Sequence, residues 1–246
     1  MEVQDKTIIV TGGCGSLGLG ISTALLARQA KVIIIDQDHT RLDALDKPFI
    51  KYHLDVTDYN AAAVVIKEIA TKHGKIDALV NNAGVIYNEP LINLMNAENM
   101  THSYANFKKY LDINLHSVFI MTSLVVEQMV LKRTKGAIIN ISSISAHGNA
   151  GQSAYAAAKA GVNALTKTWA KELGVWGIRS VAIAPGFIDT PSTKAALNNK
   201  TIERIKKETP LHKLGEIEDI ARSVVYAIED NYINGAVIDV NGGLTL

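Results

Sequence analysis

Several protein classes are excluded by what this sequence lacks. Cys14 is the only cysteine among 246 residues, so there is no intrachain disulfide framework and no sign of an oxidising compartment. With 5 prolines and no Pro/Ser-rich or low-complexity tract, nothing reads as a linker, and one domain over residues 1–246 is expected. Charge of one sign is also missing. Lys+Arg 25 against Asp+Glu 24 leaves a net +1, which offers no field for nucleic acid or an anionic membrane surface. No uninterrupted apolar run approaches the roughly 18 residues of a membrane span, and Met1 to Lys6 shows no basic-then-apolar leader. The expectation is a cytoplasmic protein with no membrane partner. His39, His53, His73, His102, His116, His147 and His212 show no metal-ligand spacing, so no metal is expected.

What is present is apolar and periodic. Hydrophobic residues make up 48% of the chain, enough for a continuous core. β-Branched runs at 7–10, 32–35, 49–54, 76–80, 137–141, 180–184 and 236–240 alternate with helical patterns at 17–29, 59–72, 104–131, 153–173, 194–207 and 217–229. Several strand runs are apolar throughout, as strands covered on both faces are. The fold class is therefore α/β, a single doubly wound (Rossmann) domain whose parallel sheet of about seven strands carries helices on both faces. In such sheets ligands sit beyond the carboxyl ends of the strands, which directs attention to the strand-to-helix loops.

The first of these loops is Thr11-Gly12-Gly13-Cys14-Gly15-Ser16-Leu17-Gly18, between the first strand and the first helix. Glycines there permit a tight turn and close backbone approach to a pyrophosphate, and helix N-terminal amides favour its charge. The second strand ends at Asp36, where a carboxylate accepts from ribose hydroxyls and repels a 2′-phosphate. NAD(H) is expected in preference to NADP(H).

The fifth strand runs into Ser142-Ser143, and Tyr155-Ala156-Ala157-Ala158-Lys159 follows. An i,i+4 pair shares a helix face, so the amine can sit beside the phenol. Lowering a phenol from its usual pKa of about 10 by three units requires roughly 4 kcal/mol, which a close buried cation can largely supply. Tyr104 and Lys108 repeat the spacing, but thirteen residues before Tyr104 lies Leu91, whereas thirteen before Tyr155 lies Ser142. The Tyr155 pair alone has a hydroxyl in register.

These residues, with Asp55-Val56, Asn81-Asn82-Ala83-Gly84, Asn114, Pro185-Gly186 and Asn241-Gly242-Gly243, resemble the short-chain dehydrogenase/reductase family over essentially the whole chain. The resemblance implies that Tyr155 is the general acid/base, that Lys159 lowers its pKa and binds the nicotinamide ribose, and that Ser142 polarises the carbonyl. It implies that Asn114 holds a water behind Lys159. Gly12, Gly15, Ser16, Leu17, Gly18 and Asp36 would contact the cofactor, with Asp55, Val56, Asn82, Gly84, Pro185, Gly186, Ile188 and Thr190. One departure is Ser16, where the family's loop carries glycine; its Cβ could crowd the pyrophosphate.

His147 and Asn149 lie between the serines and Tyr155 and are candidate substrate contacts. The long connection from Gly84 to Asn114 is similar to type II 3-hydroxyacyl-CoA dehydrogenases, and the 148–152 loop to bacterial 3-oxoacyl-acyl-carrier-protein reductases. The implied reaction interconverts a secondary alcohol and a ketone, with a 3-oxoacyl or 3-hydroxyacyl thioester of CoA or acyl carrier protein as substrate. Alternatives are a polyol, sugar or cyclic-alcohol dehydrogenase, and a nucleotide-binding regulator with little turnover. Residues 188–209 are expected to form a substrate lid, and the resemblance implies a homodimer or homotetramer.

Overall fold

The computed structural model describes residues 1–96 and 99–246. Ala97 and Glu98 of the long Gly84–Asn114 connection lie outside the described residues, as do the side chains of Ser192 and Ala196 in the expected lid. The seven strands are β1 (Thr7–Thr11), β2 (Lys31–Asp36), β3 (Ile50–His53), β4 (Ala78–Asn81), β5 (Gly136–Ile141), β6 (Ile178–Pro185) and β7 (Val237–Val240). They form one parallel sheet in the order β3-β2-β1-β4-β5-β6-β7. The order reverses between β1 and β4, which creates a crevice at their carboxyl ends.

Alternation along the central strands explains the apolar runs. Ile8 and Val10 face one core with Val32, Ile34 and Ile139, against α1 (Ser16–Ala27) and α9 (Ile217–Glu229). Ile9, Ile33 and Ile35 face the other, against α3 (Tyr59–His73) and α5 (Ser117–Leu131). Each fully buried isoleucine contributes about 1.5–3 kcal/mol relative to exposure. A sheet flanked on both faces therefore needs no polar face.

The helical run Tyr104–Leu131 is long and apolar enough to cross a membrane by length and composition. Here Val118, Met121, Val125 and Met129 are buried in the domain's own cores. It is also not one regular helix: α4 (Tyr104–Leu111) joins α5 through a wide π turn at Asp112–His116. The segment expected as one helix over 194–207 is two, α7 (Pro191–Ala196) and α8 (Asn199–Glu208). Asn198 interrupts them because its side chain accepts from the Thr201 amide as an N-cap, in extended backbone. A short α2 (His39–Asp43), capped by Asp38, has too few residues to show a period. The remaining helix, α6 (Ser153–Leu173), packs on β6 and carries the tyrosine and lysine singled out above.

Candidate active site

The site is assembled at the carboxyl ends of β1, β2, β4 and β5. Thr11, the last residue of β1, accepts at Oγ1 from the amides of Asn82 and Ala83, both at 3.1 Å. Asn82 in turn donates from Nδ2 to the carbonyls of Thr11 and Gly12, at 3.0 and 3.1 Å. These reciprocal bonds lock the two loops across the switch point. Gly12 has φ +62°, and a Cβ on Gly18 would lie 2.2 Å from the Gly12 carbonyl oxygen. Helix α1 begins at Ser16, and Gly15 at its N-cap offers no side-chain acceptor. The first-turn amides of Ser16, Leu17 and Gly18 are thus available to an external anion. Both the glycine cradle and the uncapped amides fit a dinucleotide pyrophosphate.

Asp36 closes the far side of this cradle. Its carboxylate accepts from the Cys14 amide at 2.9 Å and the Asp38 amide at 3.0 Å. Each oxygen retains a lone pair for a diol. Burial and the adjacent Asp36 push the Cys14 thiol up to about 11. Asp55 is exposed and accepts from Thr57 through one oxygen, and Val56 is buried in the core below.

Around β5 and α6 the expected tyrosine and lysine come together. Tyr155, in the first turn of α6, is 8% exposed. Lys159 follows one turn later, with Nζ 5.6 Å from the phenol ring centroid and donating to the Ile141 carbonyl at 2.7 Å. The two adjacent serines face different ways. Ser142 is 2% exposed and its hydroxyl donates to Asn163 Oδ1 at 2.6 Å, turned into α6. It is the Ser143 side chain that lies against the Tyr155 phenol and opposes the effect of its burial. Both residues stand in extended chain at the end of β5, where successive side chains point to opposite sides. Of the Ser142-Ser143 doublet, the residue thirteen before Tyr155 thus faces α6 and its neighbour faces the phenol.

Asn114 is fully buried in the π turn. It donates to the Val85 and Tyr110 carbonyls at 3.0 and 2.9 Å and accepts from the Val85 amide at 3.0 Å. Both amide protons are committed, so the side chain is a brace, and it cannot donate to a water behind Lys159 without giving up one of these bonds. Gly84 lies between them: a Cβ there would be 2.8 Å from Asn114 Oδ1 and 3.7 Å from Lys159 Nζ.

A family model described as enoyl-(acyl carrier protein) reductase matches residues 13–245. The 3-oxoacyl-[acyl-carrier-protein] reductase FabG of Thermotoga maritima is 37% identical over 258 residues, covering both chains completely. Sorbitol-6-phosphate 2-dehydrogenase of Klebsiella pneumoniae is 36% identical over 269 residues, covering all of this chain and 98% of that one. FabG of Vibrio cholerae is 35% identical over 251 residues, 99% of each. The chain belongs to the short-chain dehydrogenase/reductase family. It is therefore an oxidoreductase of a nicotinamide-dependent family acting on CH–OH groups.

Within this short-chain dehydrogenase/reductase site, electrostatics depart from expectation at the tyrosine. Burial pushes the Tyr155 phenol up to about 12, and only the Ser143 hydroxyl opposes it. Lys159 does not offset the burial, because its ammonium is directed at the Ile141 carbonyl. Burial likewise lowers Lys159 to about 8. Since the unfolded lysine holds its proton to higher pH than the folded one, the unfolded state binds more protons between pH 8 and 10.5. This group's contribution to stability therefore rises across that window. Lys159→Met is expected to be the more stable protein at pH 7 by up to about 3 kcal/mol, a gap that narrows towards pH 10. Denaturant unfolding of both proteins at pH 7, 8, 9 and 10 checks this; a constant gap would mean that the folded state does not depress the lysine.

The remaining candidates are scattered around the cleft. Pro185 ends β6, and Gly186, whose amide donates to Val240 at 3.0 Å, would meet Asn241 at 2.8 Å if it carried a Cβ. Ile188 is buried in the α1/α9 core, and the Thr190 hydroxyl caps α7 by accepting from the Thr193 amide. His147 is exposed on the turn after Ser143, whereas Asn149 is tied to Gln152. Sequence reading missed the support beneath the site. Asn81 donates to Thr122 and Asn140, and Asn140 donates to Thr166, a buried polar chain joining α5, β4, β5 and α6. No group of His, Cys, Asp and Glu among the described residues could hold a metal.

Proposed function

We propose that the protein is an NAD(H)-dependent reductase of 3-oxoacyl thioesters, acting reversibly as a 3-hydroxyacyl dehydrogenase on the CoA or acyl-carrier-protein ester. The observation that carries the reading is the Tyr155 phenol with Ser143 against it and Lys159 one helical turn beyond. Gly12, Gly15, Ser16, Leu17 and Gly18 hold the pyrophosphate, and Asp36 binds the adenine ribose and disfavours a 2′-phosphate. Asp55, Val56, Asn82, Gly84, Pro185, Gly186, Ile188 and Thr190 complete the cofactor cleft. When bound, the nicotinamide supplies or accepts a hydride.

The chain's own residues manage the proton. In the reductive direction Tyr155 donates its phenolic proton to the substrate oxygen, which the Ser143 hydroxyl also holds. A phenol raised to about 12 is fully protonated at neutral pH, the form that reduction of a ketone requires. Lys159 orients the ribose, and Asn114 braces the β4 loop behind it. His147 and Asn149 flank the substrate, and residues 188–209 act as the lid within a single domain. A cytoplasmic homodimer or homotetramer agrees with the lone cysteine and with the exposed Phe119 and Leu131 of α5.

A polyol phosphate dehydrogenase is the second reading, favoured by the Klebsiella relative. Absorbance at the reduced-nicotinamide band, with acetoacetyl-CoA, polyols and sorbitol 6-phosphate tested against each cofactor, separates the two. Turnover of the sugar phosphate alone would displace the thioester reading, and tight NAD binding with no turnover would make the protein a regulator. For the cofactor, Asp36→Asn is expected to raise KM for NAD(H) about tenfold and to narrow discrimination against NADP(H), as loss of charged hydrogen bonds predicts. Unchanged discrimination in steady-state kinetics would remove Asp36 from the account.

A further inference from the structure

One buried carboxylate takes no part in the hydride or proton transfer. Glu89, on the connection from β4 to α4, is 5% exposed. Its Oε2 accepts from the Tyr87 hydroxyl at 2.7 Å and from Asn106 Nδ2 at 3.5 Å. Its Oε1 accepts from Asn93 Nδ2 at 3.0 Å and from the Ser103 amide at 3.1 Å. The His102 ring donates from Nδ1 to the Glu89 carbonyl at 3.0 Å, since a carbonyl can only accept, and its Nε2 stands 3.7 Å from the carboxylate. A buried ion is tolerated only where its hydrogen bonds are filled. Here the donors come from well-separated points of the chain, so one side chain draws both ends of the connection together and ties them to the start of α4.

The connection is bound in turn to the chain that enters α6. The Glu89 amide donates to the Gly151 carbonyl at 2.7 Å, Glu89 and Gln152 form a short parallel bridge, and Gln152 Nε2 donates to Asn88 Oδ1 at 2.8 Å. That entry needs an outside support. Gly148 and Gly151 hold φ +104° and +78°, and a Cβ on either would meet nothing within 4 Å, so packing does not confine them. Gln152, at the N-cap of α6, makes no side-chain capping bond. The first turn of α6, which carries Tyr155, therefore takes its place from Asn88 and Glu89 rather than from a cap of its own. On the other wall of the cleft Tyr87 stacks on Tyr110, ring centroids 4.1 Å apart, and the Tyr110 carbonyl accepts from Asn114. The same carboxylate thus reaches both walls.

We propose that Glu89 is a positioning residue for the reaction: its carboxylate latches the β4–α4 connection onto the loop entering α6 and so sets where the Tyr155 hydroxyl meets the substrate oxygen. The inference rests on the reading of Tyr155 as the proton donor. Glu89 itself is ionised at neutral pH and acts only through Gly151 and Gln152.

The test compares the wild type with Glu89→Ala, and with Glu89→Gln should the alanine variant fail to fold. Hydrogen exchange followed by mass spectrometry should be about tenfold faster over residues 148–156 of the alanine variant, because the charged hydrogen bonds that fasten the connection are gone. With acetoacetyl-CoA and NADH, kcat should fall about 10–100-fold at unchanged NADH affinity, the loss expected from displacing a reacting group by about 1 Å. The solvent deuterium isotope effect on kcat should rise, since proton transfer from a misplaced phenol becomes the slow step. A variant that merely holds fewer folded molecules would keep the wild-type isotope effect. Glu89→Gln, which puts an amine where the carboxylate accepted, should show smaller changes in the same directions. Gln152→Ala cuts the latch from the other loop and should raise the isotope effect likewise; adding it to Glu89→Gln should change little further. Unchanged exchange over 148–156, or a fall in kcat with no change in isotope effect, would overturn the proposal. Acetoacetyl-CoA inert with the wild type would count against the thioester reading instead, and the exchange rates alone then decide the latch.

Discussion

Tyr155→Phe is expected to lower kcat by about 10²–10⁴-fold while leaving NADH affinity within about twofold, because the substitution removes one hydroxyl and no carbon. The phenol is buried, has Ser143 against it, and stands one turn from Lys159. Glu89, whose amide bonds the loop before α6, is held to about 2 by Tyr87 and Asn93 and so has no proton to give at neutral pH. Stopped-flow hydride transfer together with fluorescence titration of NADH separates chemistry from binding. Residual turnover above a tenth of wild type would require a second proton donor and would sink the assignment of the phenol.

The second large effect discriminates between adjacent hydroxyls. Ser143→Ala should cost about 10²–10³-fold in kcat, the usual consequence of losing one hydrogen-bond donor to a developing oxyanion. Ser142→Ala should leave kcat within an order of magnitude but lower stability by about 1–3 kcal/mol, since Asn163 Oδ1 loses a buried donor at 2.6 Å. Steady-state kinetics and thermal melts on both variants give a crossed pattern if the geometry is right. The reverse pattern, with kinetics lost at Ser142 and stability lost at Ser143, would restore the simple count from the tyrosine.

This pair also shows where sequence reading stops. The seven strands, their parallel sense and both helix layers were legible because short β-branched runs, several of them apolar throughout, alternate with stripes at period 3.6 along the chain. The glycine loop and Asp36 stood out as candidates because each lies at a strand end, and Tyr155 and Lys159 because their spacing puts them on one helix face. Ser142 against Ser143 depends on a single peptide's rotation, which no periodicity records. The same holds for Asn114. The family resemblance implied that it holds a water, but that its amide is consumed by Val85 and Tyr110 follows from the π turn, visible only in three dimensions. The division of 194–207 into two helices was encoded by Asn198, whose capping preference is weaker evidence than the charges around it.

The Cys14–Asp36 contact has a practical consequence. With its thiol held near 11, only about one Cys14 in 10⁴ is a thiolate at pH 7, so maleimides and iodoacetamide should label this single-cysteine chain slowly. Asp36→Asn removes the neighbouring charge and should quicken labelling, turning the rate of alkylation into a gauge of the field where the adenosine would lie.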